Sequence, residues 1–119
     1  MKYFEVNDTD GDPYLDLVRE WPQKLTKERA LQLSIRKWEF IVDAGAKFPD
    51  DGGLTCALCE LYAEIPNCMG CPVAEFVEQP GCIGTPYGNY MRGYTLEAAT
   101  KELAFLKEVY LAKYGEEYP

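Results

Sequence analysis

The chain has 119 residues, 47% of them apolar and 13% aromatic, and 12 basic against 20 acidic side chains give a net charge of -8. Such a length suits one domain, and the apolar content suffices for a buried core, which excludes a disordered chain. A chain this acidic is not drawn to nucleic acid by its overall field; a basic protein surface is the partner its charge suits.

Residues 2–6 (KYFEV) form a short β-prone run, and NDTDGDP behind it is a dense turn signal. In residues 14–21 (YLDLVREW) the apolar positions fit a second strand about as well as a short helix. Either a small hairpin or a strand-turn-helix unit is therefore expected, closed by Pro22. No apolar run follows a basic end at the start of the sequence, and no stretch approaches the ~20 apolar residues of a membrane span. The expectation is a soluble cytoplasmic protein.

Thr26 is placed to cap a helix running to about Ala44, with Gly45 at its end. Leu31, Ser34, Ile35, Trp38, Ile41 and Val42 share its apolar stripe, with Lys27, Arg29, Arg36 and Lys37 mostly off it. Residues 46–55 read as a loop. The last segment carries the clearest pattern. Thr95 caps it, Leu96, Ala99, Leu103, Leu106 and Tyr110 repeat at intervals of 3 or 4, and Gly115 can stop it. The expected fold is mainly α, with a small α+β variant through the N-terminal hairpin. Two long helices would pack around a zinc-bound cysteine-rich segment in a single domain, 1–119.

All five cysteines lie within residues 56–82, at Cys56, Cys59, Cys68, Cys71 and Cys82. An odd, clustered count suits a metal better than a disulfide framework. There is no histidine, which removes His-ligated zinc and Ser-His or Cys-His catalysis. Two C-x-x-C units can each aim two thiolates at one ion, and four thiolates make a closed tetrahedral zinc shell. Such a shell has no open position for water, so the zinc would be structural and the protein non-enzymatic. Cys56 and Cys59 are the firmest pair. The shell closes with Cys68 and Cys71, or with Cys71 and Cys82. An iron-sulfur cluster is the rival, because Cys71-Pro72 echoes the end of some ferredoxin motifs, but the spacing differs from theirs. A nucleobase deaminase signature fails at both halves, and no βαβ pattern supports a thioredoxin-type pair.

Other motifs fall short. Asp8-Thr9-Asp10-Gly11-Asp12 opens like a calcium loop, but Pro13 and Arg19 stand where glycine and glutamate belong. It reads as an acidic turn. The stretch GTPYGNYMRGY lacks the lysine of a phosphate loop. Its Tyr87, Tyr90, Tyr94, Met91 and Arg92 form either an interface patch or packing over the metal region, the second being favoured.

Residues 33–87 resemble a recurrent type of small phage and prophage protein. The likeness is carried by Trp38-Glu39, Cys56-Ala57-Leu58-Cys59, Cys68-Met69-Gly70-Cys71-Pro72-Val73 and Gly81-Cys82-Ile83-Gly84-Thr85-Pro86-Tyr87. In size, charge and cysteine use the chain is also similar to zinc-binding anti-CRISPR proteins that act on Cas9. The resemblance implies an inhibitor of a host defence nuclease that blocks DNA loading, working in the host cytoplasm. The contact surface would be Asp8, Asp10, Asp12, Asp16, Asp50, Asp51, Glu75 and Glu78, set against a basic channel. A phage structural or replication accessory protein and a small iron-sulfur or redox protein are the alternatives.

Overall fold

The computed structural model describes residues 3–7, 13–18, 20–48, 57–62, 71–78 and 85–118. Within them the order is β1 (Phe4–Asn7), β2 (Tyr14–Leu17), α1 (Lys27–Asp43), α2 (Ala57–Tyr62), α3 (Pro72–Val77), α4 (Pro86–Gly93) and α5 (Leu96–Tyr114). The protein is mainly α-helical with a small N-terminal β-hairpin.

The ambiguous run at 14–21 starts as a strand. β1 and β2 pair antiparallel, with Phe4 opposite Leu17, Glu5 opposite Asp16 and Val6 opposite Leu15. Residues directly opposite share a face, so Phe4, Val6, Leu15 and Leu17 form the apolar side. That alternation outweighs the helical reading. The aromatic start of the hairpin docks on α1. The Phe4 ring lies 6.3 Å from Phe40, Trp21 stacks on Tyr3 at 5.8 Å, and the Arg36 guanidinium sits 5.6 Å from the Tyr3 ring centre.

Helix α1 begins as its cap predicts: the Thr26 hydroxyl accepts the Arg29 N–H at 3.1 Å. It ends in a Schellman turn, in which Gly45 N–H donates to Val42 O and Ala46 N–H to Ile41 O. Gly45 takes φ +86°, and the chain stays left-handed through Ala46 (58°) and Lys47 (71°). Ala30, Leu31, Leu33, Ser34, Ile35, Lys37, Trp38 and Ile41 are all buried, which covers more than half of the helix circumference. Lys37, expected off the stripe, is 2% exposed. Its Nζ lies 5.3 Å from the Trp38 ring centre. A helix wrapped on several sides has no spare face for a long cationic side chain, so Lys37 is enclosed with its neighbours.

Helix α5 is the principal partner of α1. The Thr95 hydroxyl accepts the Ala98 N–H at 3.1 Å, and Gly115 closes the helix at φ +71°. Its buried stripe is Ala98, Ala99, Glu102, Leu106, Val109 and Tyr110, turned slightly from the expected one. Leu96 is exposed and Leu103 half-buried. The two long helices are tied by a polar chain: Gln32 Nε2 donates to Tyr110 Oη at 3.1 Å, and Tyr110 Oη donates to Glu28 Oε2 at 2.9 Å.

Within the stretch read as GTPYGNYMRGY, Pro86–Gly93 form helix α4. It starts at Pro86, where a missing N–H costs nothing and φ is already helical. Tyr87 and Tyr90 meet Trp38 edge to face, at 6.0 and 5.0 Å. Tyr90, fully buried, donates its hydroxyl to Phe48 O at 2.6 Å. These rings therefore pack on α1, where Tyr90 anchors the chain leaving that helix.

Candidate functional site

The candidate site is built around Cys71, the cysteine whose side chain falls within the described residues. Cys59 lies in α2, with its side chain outside the description, and Cys56, Cys68 and Cys82 lie wholly outside it. Among the described residues there is no group of three or more metal-ligating side chains.

Cys71 caps the N-terminal end of α3 in an extended conformation, with Pro72 at the first helical position. Its local sequence explains this placement, since the residue before proline is pushed out of the helical region and becomes a cap. The Cys71 side chain is buried. Val73 and Ala74 pack inward beside it, and α3 docks on α5.

Tyr62, the last residue of α2, is 4% exposed. Among the described residues its hydroxyl is the one buried side-chain polar atom without a hydrogen-bond partner. Burial, helped by the negative charges of Cys71, Tyr114 and Glu75, pushes its pKa up to about 12. Burial likewise raises Tyr114, with Glu28, Tyr110 and Glu75 adding to the effect. The charges of Cys71, Tyr114 and Glu75 thus all bear on Tyr62, and α3 and α5 are in contact. Within the described residues Cys71 supplies one thiolate, whereas a closed zinc shell takes four ligands.

The expected acidic surface is partly described. Asp16 is half-buried on β2, opposite Glu5. Glu75 is exposed and lies 3.7 Å from Lys113 Nζ, so some of its charge is met within the chain. Glu78 is exposed at the left-handed C-cap of α3, with φ 56°. Asp8, Asp10, Asp12, Asp50 and Asp51 lie outside the described residues. Asp16 is on the hairpin, whereas Glu75 and Glu78 are on α3.

Sequence reasoning missed Tyr62, Lys37 and Glu102. The last two are buried polar residues on α1 and α5. Nothing in a helical repeat separates a charged residue that turns inward from one that faces water. Tyr62 did carry a signal, as an aromatic residue three positions after Cys59.

The fold defines a mainly α-helical protein with a hairpin appended, and no described helix is long and apolar enough to cross a membrane. No family model, curated protein or solved structure matches the chain.

Proposed function

We propose that the chain is a zinc-stabilised, non-catalytic binding protein whose acidic exterior contacts a basic protein surface. Its partner in this reading is a host defence nuclease of the Cas9 type, encountered in the host cytoplasm and inhibited by blocking DNA loading. The phage setting follows from the likeness of the cysteine framework at Cys56, Cys59, Cys68, Cys71 and Cys82. The observation that carries the binding role is the charge distribution. The net charge is -8, Lys37 is withdrawn into the core, and Glu5, Glu20, Glu60, Glu75, Glu78, Glu97 and Glu108 are exposed. A rigid acidic exterior of this kind steers encounter with basic channels and loses its grip as salt rises.

The zinc is supported by the two C-x-x-C units, Cys56 with Cys59 and Cys68 with Cys71. A structural zinc would hold the short helices α2 and α3, which are too short to persist alone. Binding of that kind contributes on the order of 10 kcal/mol to folding. The decisive experiment has two arms. Metal content is measured on anaerobically purified protein and on each Cys→Ser variant; one colourless zinc per chain, lost with Cys71→Ser, is expected, whereas a brown iron-containing protein refutes zinc. The chain is then used to capture basic nuclease effectors at low and high salt. Retention at low salt and release at high salt is expected, and no retention at low salt refutes the inhibitor reading.

A further inference from the structure

A half-open groove of about 620 Å³ runs between the segment joining β2 to α1 and the helix α2. Its Glu20 and Glu60 belong to the acidic exterior described above, and its Leu61 adjoins Tyr62 in the sequence. Ligand pockets commonly fall between ~300 and ~1,000 Å³, so the size suits a side chain and part of its backbone.

Its lining combines two chemistries. Trp21, Pro22, Leu25 and Leu61 supply half-buried apolar surface. Glu20 and Glu60 supply two exposed carboxylates. Neither carboxylate has an ion pair or hydrogen bond with a described residue. Among the described residues, no lysine or arginine lines the groove. The Trp21 indole is held in place: it stacks on Tyr3 at 5.8 Å and meets Phe4 edge-on at 6.2 Å. The groove therefore presents a fixed aromatic surface flanked by two carboxylates that are unpaired among the described residues.

We infer that this groove binds an arginine side chain projecting from a basic segment of a partner protein. The aliphatic stem lies on Leu25 and Leu61, and the guanidinium stacks on Trp21 between Glu20 and Glu60. Arginine fits better than lysine because its planar, weakly hydrated cation stacks on indole while its edge donates to carboxylates. The inference rests on the reading of the chain as a binder of basic surfaces for its choice of partner, and it locates where one anchoring residue of that partner goes.

The test titrates the whole chain with an acetylated, amidated Gly-Gly-Arg-Arg-Gly-Gly peptide. Tryptophan emission reports on Trp21, because Trp38 is only 2% exposed, and amide chemical shifts map the site. Shifts at residues 20–25 and 57–62 are expected. The double variant E20Q/E60Q should keep its melting temperature and lose about tenfold in affinity, the sum of two partly exposed ion pairs. A peptide with citrulline in place of arginine should not bind. The control E97Q/E108Q, which removes the same charge from α5, should bind as the native chain does. The inference is overturned if no saturable binding occurs, if E20Q/E60Q binds undiminished, or if the control loses as much. If the native chain captures nucleases but ignores the peptide, the groove assignment fails and the binding role stands. If the peptide binds as described but no nuclease is retained, the groove stands and the nuclease reading fails.

Discussion

Replacing Tyr62 with phenylalanine removes a single oxygen from the interior, and its consequence changes with pH in a way the structure dictates. The ring stays in its packing, and the atom lost is a buried hydroxyl with no hydrogen-bond partner among the described residues. Leaving such a group unsatisfied costs about 1–3 kcal/mol, so the Tyr62→Phe protein should be more stable by that order at pH 9. Above pH 10 a second effect enters. Burial first, then the charges of Cys71, Tyr114 and Glu75, hold the folded pKa at about 12 against 10.0 for an ordinary tyrosine. A raised folded pKa gives stability that is complete below pH 10 and lost as pH climbs through 12, because the unfolded chain releases its proton first. Two units correspond to about 2–3 kcal/mol. The native chain should therefore lose that much more than the variant between pH 10 and 12. Tyr110, Tyr114 and Tyr118 also have raised pKa values, but they titrate in both proteins and cancel in the comparison. Urea melts followed by circular dichroism at pH 9, 10, 11 and 12 measure the gap. A variant less stable at pH 9, with a gap unchanged to pH 12, would refute the assignment of a buried, unpartnered hydroxyl.

Tyr110→Phe should cost about 1.5–3 kcal/mol, because it removes a hydrogen bond to the Glu28 carboxylate between the two long helices. A double-mutant cycle with Glu28→Gln should show most of that loss as coupling rather than as two independent effects. Lys47→Gly should raise stability by up to about 1 kcal/mol, since Lys47 is exposed and held at φ 71°, where a Cβ is strained; a lower denaturation midpoint would contradict this. Thr95→Ala should cost about 1 kcal/mol, measured the same way, by removing the acceptor for the Ala98 N–H.

The two long helices were legible because their signals are local. Thr26 and Thr95 each place a hydroxyl three residues before an N–H that needs an acceptor, and Gly45 and Gly115 each tolerate a left-handed φ. The short helices were not read from the sequence, although Cys71-Pro72 and Thr85-Pro86 marked two of their starts. With six to eight residues, no apolar period can establish itself. Cys71-Pro72 invites a metal-motif reading, yet the proline's local work is to begin α3. The hairpin was balanced against a helix until pairing with β1 selected the strand.

Of the candidate site, the sequence by itself determined which side chains are on hand: thiols, no imidazole, and a surplus of carboxylates. It also determined the boundaries of α1 and α5, because caps and stop residues act within four positions of where they stand. Only the tertiary structure decided that Lys37 and Glu102 turn inward and that Trp21 meets Glu60 across a groove. Trp21 and Glu60 come from segments far apart in the chain, and which side of a helix is covered depends on what packs against it rather than on the helix itself.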